Sequence, residues 1–280
     1  MKPRSRRTRK EEQRRLRVET PSLFADDPAF GQDAGAFYPD ARHDERPEKE
    51  PLVVPQRWVN AAIALFLLPL AWIWTQTFFT LFSHQTVHHA FWATEELWFF
   101  SLGTLLWLIA FFGLPRPVTL YVFGHELTHA IWSWMMGGRV SEFKFSVKGG
   151  YILTNKHNFW ISLAPYFYPV YSVAVIILYG IASLFWDVAP HTRWLFLALG
   201  VTWAFHISFT VWMIPKGQSD LTHHGTFFSL VIIYLMNLAL LSALVILTAP
   251  NASLSDFCRE FYQNTSHFTG QVAALLRALR

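Results

Sequence analysis

Residues 121–130 read YVFGHELTHA and place His125, Glu126 and His129 inside an otherwise uncharged apolar run, residues 117–136. About 20 helical residues cover the roughly 30 Å hydrocarbon core of a bilayer, so this run is long enough to span it. In a helix, His125 and His129 lie one turn apart on one face, where both imidazoles can reach a single metal ion. The stretch therefore predicts a metal site on a membrane helix.

Glu126 lies about 100° around the predicted helix from His125. It is therefore close enough to act on a metal-bound water without being a ligand itself. His125 is eight residues from the start of the run, about 12 Å at 1.5 Å per residue, which places the site well inside the bilayer. Ionisable residues are costly in lipid and are seldom kept there without a use, so we expect a functional site. The alternative is a polar network between helices.

The composition is typical of a polytopic membrane protein. Of the 280 residues, 52% are hydrophobic, 17% are aromatic and 15% are charged, which departs from the averages of soluble proteins. The net charge of +4 is thinly spread, so no nucleic-acid partner is indicated. A basic surface here would face the anionic headgroups of a lipid bilayer. The single cysteine, Cys258, excludes an intramolecular disulfide and a cysteine-rich zinc finger.

Six apolar runs of near-spanning length predict an all-α polytopic membrane protein with about six transmembrane helices. The runs are residues 59–82, 97–113, 117–136, 159–186, 194–214 and 226–249. Pro165 and Pro169 would break the helical hydrogen bonding of the fourth run. The spans at 59–113 would be two accessory helices, and residues 117–249 would form the core around the metal site.

The two ends of the chain differ from this core. Residues 1–50 hold 12 of the 23 Lys and Arg residues and 11 of the 19 Asp and Glu residues, with few large apolar residues. This composition predicts a disordered charged tail. Residues 250–280 are largely polar until apolar residues recur at helical spacing from Phe268 onwards. A short amphipathic helix at the membrane interface is expected there.

Residues 137–158 interrupt the apolar pattern. Gly137 and Gly138 fit a helix stop, residues 143–147 alternate apolar and polar, and Gly149 and Gly150 supply a turn before further strand-like residues. The pattern predicts a β-hairpin after the metal-site helix. Its four basic residues place the loop in the cytoplasm by the positive-inside rule. Six spans would then put the basic N-terminal tail on the opposite side, so the two charge indicators conflict.

A catalytic zinc site needs a third protein ligand and an open position for water. Asp220, just after the fifth run, is the preferred candidate; His206 within that run and His223 and His224 beside Asp220 are the alternatives. Zinc would lower the pKa of the bound water and polarise a carbonyl. Glu126 would take the proton from that water and return it to a leaving amine.

GHELTHA on a membrane helix, a glycine-containing hairpin after it and an aspartate some 90 residues downstream resemble the site-2-type intramembrane zinc metalloproteases. The resemblance covers residues 117–249. It implies that His125, His129 and Asp220 bind Zn²⁺, that Glu126 is the catalytic residue, and that the hairpin pairs with an unwound substrate strand. It also implies that the substrate is a transmembrane segment of another membrane protein. The localisation implied is the inner membrane of a prokaryotic cell.

The chain departs from the family pattern around Asp220. Many members have an Asn and prolines before a Leu-Asp-Gly triplet, whereas residues 215–221 read PKGQSDL. A Ser-Asp form resembles some bacterial members of the broader clan. There is no insert of PDZ size between the spans, which argues against regulation by such a domain. The sequence does not indicate an oligomeric state.

Two other functions are considered. His84, His88 and His89 form an HxxxHH box resembling those of membrane di-iron desaturases and hydroxylases, but the pair His223 and His224 lacks the preceding histidine of an HxxHH box. A non-catalytic member of the protease family that binds metal is the other alternative. The intact pattern of two histidines and a glutamate argues against it.

Overall fold

A computed structural model describes residues 55–88, 94–249 and 252–279; the predicted disordered tail lies outside these residues. Within them the chain is mostly helical. The helices are α1 (Gln56–His88), α2 (Glu95–Gly113), α3 (Val118–Met135), α4 (Phe159–Leu163), α5 (Val170–Ser183), α6 (Thr192–Met213), α7 (Ser219–His223), α8 (Thr226–Thr248) and α9 (Leu254–Ala278). Strands β1 (Val140–Ser146) and β2 (Gly149–Thr154) form one antiparallel hairpin.

Four of the helices described are long and apolar enough to cross a membrane: α1, α2, α6 and α8. The pair Phe159–Tyr166 and Val170–Ser183 is bent by 80° and adds a fifth span if it is counted as one. Pro165 and Pro169 lie in and beside this break, as the sequence predicted. The chain is therefore a helical protein with four or five candidate spans. The predicted count of six would require α3 as well, and it stays a prediction.

The long helices pack as two parallel pairs. In the first pair, α2 and α6 approach so closely that a Cβ atom added at Gly103 would overlap the carbonyl oxygen of Leu197, and one at Gly200 would overlap that of Phe100. Small residues allow this close approach of two backbones in membranes. In the second pair, Trp74 of α1 donates a hydrogen bond from Nε1 to Oγ of Ser242 of α8 (3.1 Å).

The start of α1 and the loop after β2 lie at the same end of the molecule. Nδ2 of Asn60 donates a hydrogen bond to the carbonyl oxygen of His224 (2.7 Å), and the His224 ring lies 5.6 Å from that of His157, centroid to centroid. Between these two points, α1 and α2 are the candidate spans among the residues that the structure describes. The start of α1 and this loop therefore share one end of the molecule, whereas the six-span prediction put them on opposite sides of the membrane.

A glycine ends α3 and releases the chain into the hairpin. Gly137 has φ +74°, its N–H donates to the carbonyl of Trp134, and the N–H of Gly138 donates to that of Ser133. This pair of bonds is the Schellman motif at a helix C-terminus. It confirms the predicted helix stop.

The hairpin folds back on α3. The Phe123 ring lies 5.0 Å from that of Phe145, and Ser133 and Thr154 are joined by a short side-chain hydrogen bond. The hairpin is confirmed, but its turn lies at residues 147–148. Gly149 and Gly150 belong to β2 and pair with Ser146 and Phe145. The predicted position of the turn is therefore wrong by two residues.

The C-terminal helix α9 starts at Leu254, well before the predicted position near Phe268. Its first half packs on α1: Trp74 contacts the rings of Phe257 and Phe261 at 5.9 and 6.4 Å. Its last turns expose Leu275 and Leu276, in agreement with an amphipathic character.

Candidate metal centre

Three buried ligand atoms from two distant parts of the chain converge on one point. Nε2 of His125 lies 3.2 Å from Oδ2 of Asp220 and 3.2 Å from Nε2 of His129. Nε2 of His129 lies 3.6 Å from the same carboxylate oxygen. Ligand atoms around a tetrahedral zinc ion with bonds of about 2.0–2.1 Å are about 3.4 Å apart. The triangle therefore has the size of a tetrahedral metal site, and these residues could bind a metal ion.

Hydrogen bonds hold the two imidazoles in this orientation. Nδ1–H of His129 donates to the carbonyl oxygen of Ile161 (2.8 Å), which leaves Nε2 free as a ligand. Nδ1 of His125 bonds to the hydroxyl of Tyr121 (3.2 Å). The Ile161 carbonyl thereby sets the tautomer that a metal-binding histidine needs at His129, and the Tyr121 hydroxyl helps to orient the ring of His125.

Asp220 is positioned by a short helix that is packed into the core. Gly217, at φ +74°, lets the chain turn after α6, and α7 follows at once. Leu221, next to the aspartate, is 2% exposed and packs in a cluster with Leu163 and Tyr166. The hydroxyl of Tyr166 donates to Oδ2 of Asp220 (3.2 Å). These contacts hold the carboxylate against the two histidines of α3.

Glu126 lies beside this triangle and is only 2% exposed. Its Oε2 atom has no hydrogen-bond partner among the residues that the structure describes. A buried carboxylate oxygen without a partner is costly and calls for a water molecule, an ion or a substrate group. Gly150 of β2 packs against Cγ of this side chain. The hairpin therefore forms one wall around the glutamate.

His206, one of the alternative third ligands, is not in the converging group. It lines a cavity of about 20 Å³ together with His125, Tyr121 and Thr128. A volume of this size holds about one water molecule. His206 therefore belongs to the surroundings of the site rather than to the triangle of ligand atoms.

The other two alternatives, His223 and His224, form a separate group with His157. Burial, together with the neighbouring His223 and His157, lowers the pKa of His224 to about 4. Burial and His223 also lower the pKa of His157. Both imidazoles are therefore neutral at pH 7.

Two histidines of the HxxxHH box, His84 and His88, lie in the last turns of α1, and His89 is outside the described residues. His84 is 24 residues along α1 from Asn60, about 36 Å at 1.5 Å per residue. Since Asn60 contacts His224 near the metal triangle, His84 is at the far end of the molecule. It does not join the triangle.

Several contributors to the site were not identified from the sequence. Tyr121, Tyr166 and the carbonyl of Ile161 orient the ligands. The only sequence signal for Tyr121 is its spacing of four residues before His125, which puts it on the same helix face. The other two are brought in by tertiary packing and leave no local pattern.

The chain was compared with protein-family models, curated proteins and solved structures. None of the three comparisons gives a match.

Proposed function

We propose that this chain is an intramembrane zinc metalloprotease that hydrolyses a peptide bond in or near a transmembrane segment of a membrane protein. The observation that supports this best is the convergence of His125, His129 and Asp220 within 3.2–3.6 Å beside the unpartnered carboxylate oxygen of Glu126. A site that only binds metal has no chemical need for the carboxylate of Glu126 beside the three ligands.

The donor set fits zinc. Two imidazoles and one carboxylate are the three-ligand type of catalytic zinc sites, in which one position is left open. When bound, zinc would supply Lewis acidity towards a carbonyl oxygen and lower the pKa of a water molecule. Glu126 would accept the proton of the attacking water and donate it to the leaving amine. Tyr166 and Ile161 would keep the ligands oriented through their hydrogen bonds to Asp220 and His129.

The surroundings favour a peptide substrate in a membrane. The hairpin packs beside Glu126, where its backbone could pair with an extended segment. The break between α4 and α5 lies in a candidate span next to the site, and broken helices in membranes occur where backbone lines a cavity. The long apolar helices are compatible with a membrane protein, and the inner membrane of a prokaryotic cell is the proposed location.

Metal content together with proteolysis tests the proposal. We expect about one tightly bound zinc at the buried site of the full-length chain purified in detergent, and loss of that zinc in His125→Ala and Asp220→Ala. The matched control is Asp187→Ala, an exposed loop aspartate, which should keep the zinc.

Glu126→Gln should keep the zinc and the fold but lose roughly 10²–10⁴-fold in cleavage of a panel of reconstituted transmembrane segments. Wild-type protein that binds no zinc, or equal cleavage by wild type and Glu126→Gln, would refute the proposal. Two irons per chain, lost on replacing His84 and His88, would instead indicate the di-iron chemistry. Zinc binding without cleavage of any segment would indicate the non-catalytic alternative.

A further inference from the structure

A second group of metal-ligand side chains lies outside the buried triangle. His157 precedes α4, whereas His223 and His224 end α7, and one nitrogen of each lies within 4.8 Å of the others. The ring centroids are 4.7 Å apart for His223 and His224 and 4.8 Å apart for His157 and His223. Three imidazoles, one from the loop before α4 and two from the end of α7, therefore share one small volume.

These rings are accessible and can adjust to an ion. His157 and His223 are exposed and His224 is half-buried. An ion would draw these nitrogens from within 4.8 Å of one another to the roughly 3.4 Å between ligands of a tetrahedral ion, and the two exposed side chains have room to rotate. Three imidazoles without a carboxylate suit zinc, copper, nickel and iron and are poor ligands for Ca²⁺ or Mg²⁺.

The backbone that presents these histidines is held by neighbouring elements. Asn60 of α1 donates a hydrogen bond to the carbonyl oxygen of His224, and Oγ of Ser162 lies 3.4 Å from Nε2 of the same ring. Asn158, next to His157, caps α4 by accepting a hydrogen bond from the N–H of Ile161 (2.9 Å). These contacts fix the backbone around the site, so that binding an ion has to order mainly the exposed rings of His157 and His223.

We propose that His157, His223 and His224 form a second, solvent-accessible site for a divalent transition-metal ion such as Zn²⁺, separate from the buried triangle. An ion held here would join α7 to the loop before α4. Asp220 lies in α7, and Ile161 lies in α4. The site stands independently of any protease activity.

Zinc stoichiometry tests the site. Full-length protein in detergent, stripped of metal, is titrated with Zn²⁺ at pH 7.5 by equilibrium dialysis and elemental analysis. We expect two ions per chain for wild type and one for His157→Gln/His223→Gln/His224→Gln. In His125→Ala/His129→Ala, where the buried triangle is destroyed, we expect one ion per chain. Adding the Gln substitutions at His157, His223 and His224 to this variant should abolish binding of that ion.

The matched control replaces two other exposed histidines, His191 and His267, and should leave two ions. The single variant His157→Gln changes one exposed loop residue and should weaken the outer site by roughly tenfold or more even if the triple variant does not fold. Co²⁺ bound in the His125→Ala/His129→Ala background should show no thiolate charge-transfer band, since the sole cysteine, Cys258, lies on α9.

The inference is overturned if the His125→Ala/His129→Ala protein binds no zinc. It is also overturned if its remaining zinc is unaffected by His157→Gln. Neither result bears on zinc at the buried triangle, so failure of this site and failure of the proposed function can be told apart.

Discussion

Gly150 of the hairpin lies directly against Glu126 of α3: a Cβ atom added at Gly150 would stand 2.6 Å from Cγ of Glu126 and 2.7 Å from the carbonyl oxygen of Lys144. The backbone oxygen cannot give way without shifting the partner strand. A side chain at this position would therefore displace the glutamate or lift the hairpin.

We predict that Gly150→Ala reduces proteolysis by about 10²-fold, the usual effect of misplacing a catalytic group by about 1 Å, while zinc content is unchanged. The measurement is cleavage of a transmembrane segment, with metal analysis on the same sample. Gly270→Ala is the control, because an added Cβ there meets nothing within 4 Å. Full activity of Gly150→Ala would show that the hairpin does not position Glu126.

Tyr166→Phe should weaken zinc binding at the buried triangle by about 10–100-fold, as loss of an orienting hydrogen bond to a metal ligand generally does. The substitution removes only the hydroxyl that donates to Asp220. A competition titration with a zinc chelator measures the change. Tyr179→Phe removes a hydroxyl bound to the carbonyl of Val188 (2.8 Å) and should leave zinc affinity unaltered; an equal loss in both variants would argue against a specific role for Tyr166.

Gly103→Ala and Gly200→Ala should each destabilise the protein by about 1–3 kcal/mol, the usual cost of overpacking. An added Cβ at either position overlaps a backbone carbonyl of the facing helix, and backbone atoms cannot rotate away. Thermal unfolding in detergent is the measurement. Gly180→Ala, in open space on α5, should be neutral or stabilising by about 0.5–1 kcal/mol; a fall in its stability equal to that of Gly103→Ala would contradict the packing of α2 on α6.

The stability of the metal-free protein should fall as the pH is lowered from about 6.5 towards 4. The pKa of His224 is lowered from 6.5 to about 4 by burial and by His223 and His157. The unfolded chain therefore binds a proton through this window while the folded chain does not. Melting temperatures of wild type and His224→Gln across this range measure the effect. The variant should show the shallower slope, and identical slopes would mean that His224 titrates normally.

Much of the architecture could be predicted from the sequence, because local patterns determine it. The helix start and end around residues 118–135 follow from an apolar run followed by Gly137, and alternation over residues 143–147 indicated β1. The break at Pro165 and Pro169 follows from the missing amide hydrogens of proline. The pairing of His125 with His129 needs only the helical period.

What the sequence did not predict depends on contacts between distant segments. The turn of the hairpin was misplaced because Gly149 and Gly150 are strand residues, one with φ +131° and the other pressed against Glu126, rather than turn residues. His157 was overlooked as a partner of His223 and His224 because 66 and 67 residues separate them, and only the packing of α7 near the loop before α4 brings them together.

Asp220 lies 95 residues after His125, so the ribosome makes the third ligand of the metal centre well after the first. At about 5–20 residues per second, a ribosome makes the aspartate roughly 5–20 s after the first histidine. Throughout that interval α3 has two histidines and a glutamate that lack their partner. Such a segment enters lipid unfavourably by itself. If α3 enters the bilayer as the sequence predicts, we expect it to remain with the insertion machinery until α6 and α7 arrive, so that assembly of the metal centre and insertion of α3 are one late event in biogenesis.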